Sequence, residues 1–335
     1  MNTNWNDPNF QGFGGKNPFG GRPKKAKAPR KAVGTPLGRT ALNLAVMLLV
    51  GAVYYYAELP ALNLHSGTLY VFVILLCAVY CGMAVLTSGF QGSGAKGYFG
   101  FVKKQCKIPL ILTLALLVTA IAGSIVGWKL LRAGSYRDLL TVESGDFASE
   151  VQEISFDQIP MLDRDSASKL GNRKLGELAD MVSQFEVADD YTQINYQGRP
   201  VRVTPLRYGD LIKWLNNRSQ GLPAYLIIDM VTQNVEVVRL DEGIRYTTAE
   251  HFGRNLNRHL RLRYPTFMFD DPAFEIDENG DPWWVCPRVS HTIGLFGGTD
   301  IHGAVLVNAI TGESQYLAAE DIPTWVDRVF FAELI

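Results

Sequence analysis

Three long apolar runs occupy residues 41–57, 68–87 and 108–128. The last is 21 residues without a charged side chain, long enough to cross a bilayer as a helix. The first, at 17 residues, lies at the lower edge of what spans. Beyond residue 131 the pattern changes. A connector over 132–165 carries little periodicity, and after it apolar positions come in short alternating runs broken by Gly and Pro, the mark of strands with one covered face.

Two of these patterned stretches repeat each other. Ala167, Leu170 and Gly171 recur 82 positions later as Ala249, Phe252 and Gly253. Ile194, Gly198, Pro200, Val203 and Pro205 recur at the same offset as Ile276, Gly280, Pro282, Val285 and Pro287. Asp229 and Thr232 are echoed 79 positions later by Asn308 and Thr311. One offset shared by separated motifs predicts a tandem repeat, 166–240 and 248–335.

Each unit opens with a helix, expected over 166–185 and 249–263. Asp165 or Ser166 is the expected cap of the first, and Thr247 or Thr248 of the second. A hairpin follows, turning at Gln197-Gly198 and Asn279-Gly280, and two further strands close each unit: 224–228 with 235–240, and 303–307 with 314–317. A short helix is expected over 209–217 and another near 324–331, and 294–298 reads as a tight glycine connection. The predicted fold class is therefore an α+β part of two helix-plus-antiparallel-strand repeats, following an all-α three-helix transmembrane anchor over 37–131.

The offset also assigns faces. It pairs Trp283 with Val201 and Trp284 with Arg202, and strand neighbours point to opposite sides. Arg is seldom buried, so Trp283 is expected in the core and Trp284 outside as an interface anchor. The alternative is that the connector or the other repeat covers Trp284.

The segments YLIIDMVTQNVEV (225–237) and GAVLVNAITGESQY (303–316) read as apolar strand, Asp or Asn, turn, strand. In this they resemble the PepSY-like family of small extracytoplasmic domains. The second keeps Thr311-Gly312 at the turn, whereas the first has Thr232-Gln233. The resemblance implies a helix packed on a few antiparallel strands, in tandem, and a binding role, modulating a peptidase or an assembly in the cell envelope.

Charge changes this picture in one respect. Of 32 basic residues 12 lie in 1–107, against two of the 33 acidic ones, so 108–335 carries a net −11. An acidic C-terminal part argues against nucleic acid as its partner. The Asn-, Gly- and Lys-rich stretch 1–36 is expected to be disordered. Its lysines read as a topology signal in preference to a lipid or nucleic-acid tether. No Lys or Arg lies in 58–67, whereas four lysines lie between the second and third runs. The expected topology is a multi-pass cell-membrane protein with the N-terminus cytoplasmic and the C-terminal part extracytoplasmic. Cys286 alone belongs to that part, which therefore holds no internal disulfide.

Candidate chemistry is thin. His251, His259, His291 and His302 lack HExxH or CxxC-type spacing, and Cys77 with Cys81 reads as a helix contact rather than a metal or redox pair. The acidic stretch 270–281 departs from a calcium loop and reads as a hairpin turn. Gly294 to Asp300 lacks the ending of a phosphate-binding loop, and no motif frames a catalytic serine. No cofactor is expected. Arg254, Arg258 and Arg261 fall on one helix face, which reads as a solvated stripe, with an anion-binding face as the alternative. The functional expectation is a membrane-anchored binding or regulatory module for a protein or peptide. A membrane-associated hydrolase or peptidase is the alternative.

Overall fold

The computed structural model describes residues 32, 34–89, 94–139, 144–150, 153, 155 and 159–330. The expected disorder of the N-terminal tail falls almost wholly outside them. Thr35 opens helix α1 (Pro36–Glu58): its hydroxyl accepts the Gly38 N–H at 3.2 Å, and Pro36 supplies the first helical residue. Helix α2 (Gly67–Thr87) packs antiparallel to it, joined by stacked Tyr54 and Phe72 rings and by Thr87 Oγ1 donating to buried Asn43 Oδ1 at 3.0 Å. Helix α3 (Gly94–Phe101) continues through a π-helical turn, Val102–Cys106, into α4 (Lys107–Val126). Three helical stretches, Pro36–Glu58, Gly67–Thr87 and Phe99–Val126, are long and apolar enough to cross a membrane. Short helices α5 (Ala133–Arg137) and α6 (Phe147–Glu150) follow.

The C-terminal part is α+β. Helix α7 (Arg164–Gly176) is capped by Asp163, whose carboxylate accepts the Ser166 N–H at 2.7 Å. It is shorter than the expected 166–185, because Phe185 begins strand β1 (Phe185–Val187) and pairs with Tyr208 instead. Then come β2 (Thr192–Tyr196), β3 (Arg199–Tyr208), α8 (Leu211–Asn217), β4 (Leu222–Asp229) and β5 (Val235–Ile244). The first sheet is antiparallel, ordered β1-β3-β4-β5 with β2 also on β3, so β5 is an edge.

The expected helix over 249–263 is broken at Asn255, between a 3₁₀ turn (Phe252–Arg254) and α9 (Leu256–Arg263). Asn255, rather than a threonine, caps α9 by accepting the Arg258 N–H. Strands β6 (Met268–Phe269), β7 (Ala273–Ile276), β8 (Pro282–Ile293), β9 (Gly297–Asn308) and β10 (Ser314–Ala318) form the second sheet, ordered β10-β9-β8-β6 with β7 on β8. No helix forms over 324–330. That segment opens with a turn, Val326 N donating to Pro323 O at 3.1 Å, and packs on the second sheet, with Trp325, Val326 and Val329 in one cluster with Val285 and Leu306.

Strands β3 and β8 pair in similar registers with β4 and β9. Val201 faces Asp229 and Trp283 faces Asn308. Met230 N donates to Pro200 O and Ala309 N to Pro282 O, both at 3.0 Å. The face assignment, however, is reversed. Trp284 is 0 % exposed, its Nε1 donates to Tyr246 O at 2.9 Å and its ring meets Phe274 edge-on at 5.4 Å. Trp283 is the half-buried one, against Trp325. The reason lies in Arg202. Its side chain sits on the helix-covered face and stays there by donating to Leu162 O (3.3 Å) and Tyr191 O (3.5 Å), with burial pulling its pKa down. An arginine can sit under a covering segment when backbone carbonyls take its protons.

One core runs through both sheets, from Leu226 and Ile228 through Tyr225 and Phe274 to Trp284, Leu256 and Leu260. The two-sheet part also rests on the helix ends. Leu62 N donates to Pro265 O (2.8 Å), Asn63 Nδ2 to Thr266 O (3.0 Å), and the His65 ring nitrogen meets Leu295 O (2.9 Å). The β8–β9 turn comes so close to the end of α4 that a Cβ on Gly294, at φ +67°, would lie 2.8 Å from the Gly127 backbone. Only glycine meets both demands there.

Candidate functional site

The arginines expected on one open face have separate partners. Arg258 Nε donates to Tyr56 O at 3.2 Å, and its guanidinium lies 4.2 Å from the Tyr56 ring centroid. Arg261 donates to Leu59 O at 2.9 Å and Phe267 O at 2.6 Å. Both therefore satisfy carbonyls at the C-terminal end of α1, where backbone acceptors lack helical donors and the dipole favours cations. Arg254 turns away and donates to Arg218 O at 2.6 Å. The stripe is thus neither solvated throughout nor a shared anion-binding face. Two of its members join the two-sheet part to α1, and Trp284 is core.

A cleft of about 720 Å³ lies elsewhere, on the first sheet beside edge strand β5. Its floor is Tyr225 and Ile227 of β4. Tyr196 and Gln197 form one end, Glu236 and Val238 of β5 one side, and Asn279, Gly280 and Asp281 with Asn308 and Thr311 the other. The two hairpin turns thus both reach the cleft, one through Gln197 and the other through Asn279 and Gly280, while Asp229 and Thr232 do not line it. Gly198 (φ 75°) and Gly280 (φ 87°) take the positive φ that each hairpin needs. Asp229 Oδ1 accepts Val231 N and Thr232 N, and Asn308 Oδ1 accepts Ile310 N and Thr311 N, all within 3.0 Å.

Tyr225 ties the two sides together, its hydroxyl donating to Gly280 O at 2.7 Å, and burial pushes its pKa up. Burial also raises Asp229, but the N–H donors of its turn and Arg199 at 3.6 Å outweigh this and leave it below the usual carboxylate range. Glu236, Asp241, Glu242 and Asp281 outnumber Arg199 and Arg239 around the cleft. The cleft therefore favours a cationic or polar guest. An extended segment would fit beside β5, whose outer edge pairs with no strand among the described residues.

The remaining candidates are placed apart. Asp277 Oδ1 accepts Asn279 N and Asp281 N at 2.9 Å, so that carboxylate serves the turn. His259 meets Gly312 O at 2.9 Å, and burial lowers its pKa. Among the described residues no group of three His, Cys, Asp or Glu side chains is placed to share a metal ion. Sequence reasoning missed Tyr196, Tyr225 and Glu236 as site residues. The signal was there for Tyr225, which opens the strand–turn–strand segment. Comparison with protein-family models, curated proteins and solved structures gave no match.

Proposed function

We propose that this chain is a membrane-anchored binding module that holds an extended segment of a protein or peptide partner along β5, in the cleft between its sheets. The observation that carries this reading is the convergence of both hairpin turns and the free edge of β5 on one open, acidic concavity. Edge strands recruit extended peptides through backbone hydrogen bonds, and side pockets select among them. The two sheets are, on this proposal, copies of one PepSY-like unit. The matching registers and the matching Asp229 and Asn308 turns support it.

A photoreactive residue at Glu236 or Asn279, in cells making the full chain, should cross-link a partner. One at exposed Lys169 on α7 should not. Equal yields at all three positions would discard the cleft as the binding site.

The proposed orientation puts the N-terminus and lysine loop in the cytoplasm and the two-sheet part outside. Cys106 is then closed to a membrane-impermeant thiol reagent in intact cells. Cys286, 0 % exposed and with its thiol pKa raised by burial, should label from outside once denaturant opens the fold. Labelling of Cys106 but never of Cys286 would reverse the topology.

A further inference from the structure

Exposed apolar side chains of the two-sheet part gather on one side of α8. Leu211, Ile212 and Leu215 lie in one arc of that helix, with Ile212 70 % exposed, while Trp214 on the next arc is buried. Phe252, 64 % exposed and held at φ 51°, continues the patch, its ring 6.0 Å from that of Trp214. Isolated apolar residues on a surface need no account, but three on one arc of a two-turn helix, with Phe252 across Trp214 from it, do.

The depth of the patch follows from Arg258. A single guanidinium donates to Phe252 O at 2.8 Å and to Tyr56 O at 3.2 Å. Tyr56 lies in the last turn of α1, two residues before that helix ends at Glu58. At 1.5 Å per residue the Phe252 backbone is therefore level with the place where α1 leaves the apolar layer. Leu262, one turn after Arg258 on α9, is exposed on the same face. Beyond α4, Trp128, Leu130 and Leu131 are exposed beside Lys129 and Arg132, the composition of a membrane–water boundary.

Charge completes the site. A cavity of about 460 Å³ beside Phe252 is lined by Trp214, Arg218, Glu250, His251 and Arg254, and the Glu250 carboxylate is occupied in accepting the Tyr208 hydroxyl and Trp214 Nε1, each at 2.7 Å. Neither Arg218 nor Arg254 has an acidic partner within ion-pair distance among the described residues. Two guanidiniums without a carboxylate partner, Arg254 held by Arg218 O and Arg218 over the Trp214 ring, beside an apolar wedge match a phosphate above acyl chains.

We propose that Leu211, Ile212, Leu215 and Phe252 insert into the lipid leaflet beside α1, with a phospholipid phosphate held between Arg218 and Arg254. The inference rests on α1 spanning the membrane and not on the β5 cleft. The full chain, carrying a photoreactive residue at position 212, 252, 169 or 48, would be reconstituted in nanodiscs containing zwitterionic and anionic phospholipids. Leu48 faces outward on α1 and reports whether that helix meets lipid at all.

Phospholipid adducts are expected at 48, 212 and 252 and not at 169. Combining Arg218→Gln with Arg254→Gln should lower the anionic share of the adducts at 252 by roughly an order of magnitude. That variant also loses the Arg254 bond to Arg218 O, so Arg218→Gln alone, at an exposed side chain, is the form that should keep its melting temperature while still lowering that share. Lipid adducts at 48 but not at 212 or 252 would overturn the proposal. So would the same experiment in native membranes if the patch gave only protein adducts. No adduct at 48 would overturn the spanning of α1 itself, and the insertion with it.

Discussion

Trp284→Ala should destabilise the two-sheet part by about 3–5 kcal/mol, as truncation of a fully buried tryptophan does. Trp283→Ala should cost about 1–2 kcal/mol, because that ring keeps one side in solvent. Trp284 shares the core with Leu256 and Leu260 of α9, meets Phe274 of β7, whose ring in turn meets Tyr225 of the first sheet, and donates its indole N–H to Tyr246 O. Removing it opens a cavity where the sheets meet and leaves a backbone carbonyl without its donor. Trp284→Phe keeps most of the volume and loses only that hydrogen bond, so it should fall between the two. Denaturant unfolding of the full chain in detergent, followed by near-ultraviolet circular dichroism, would rank the three variants. Equal losses at 283 and 284 would refute the placement of Trp284 in the shared core.

Stability should also fall as pH rises from about 4.5 to about 7, through Glu275. This side chain is 0 % exposed, and its carboxylate accepts Asp327 N and Arg328 N, each at 2.9 Å. Burial pushes its pKa up to about 7, and nearby Asp327 adds to this; the two N–H donors and the Arg328 charge oppose it without prevailing. The folded state thus holds the proton more tightly than the unfolded one. The stabilisation is complete below about pH 4.5 and is lost as pH passes about 7, a difference of about 3 kcal/mol.

Asp190, also raised by burial, acts in the same sense, whereas His259 and His291, lowered by burial, act in the opposite one. The comparison must therefore be with Glu275→Gln, which cannot titrate. The gap between wild type and variant should shift against the wild type by about 3 kcal/mol across that range. A constant gap would mean that Glu275 is ionised throughout. Asp327 also accepts Asn195 N at 2.5 Å, so the segment that Glu275 holds reaches the first sheet as well as the second. Loss of the Glu275 contacts should loosen 324–330 from both, seen as faster amide exchange there.

Much of this architecture is legible in the chain because its causes are local. An uninterrupted apolar run of span length leaves the backbone no alternative to a helix in lipid, and all three runs are helical. Gly198 and Gly280 mark turns because positive φ is a property of the residue itself. The alternation along β3 and β8 shows that they are strands. The ends of the helices are less local: α7 stops at Gly176, and successive turns through Leu178, Met181 and Gln184 deliver Phe185 to its pairing with Tyr208.

What alternation cannot say is which face is covered, since a period of two is the same read from either side. Arg202 was the natural guide and pointed the wrong way, because two backbone carbonyls remote in sequence take its protons and let it lie under a covering segment. The same holds for Arg258 and Arg261, whose partners Tyr56 and Leu59 are each 202 residues away. The cleft, too, exists only once two turns separated in sequence face each other across Tyr225. Span, turn and strand follow from the chemistry of neighbours in the chain. Inside and outside, and the partner of every buried charge, were decided by contacts between residues far apart in it, which only the folded structure brings together.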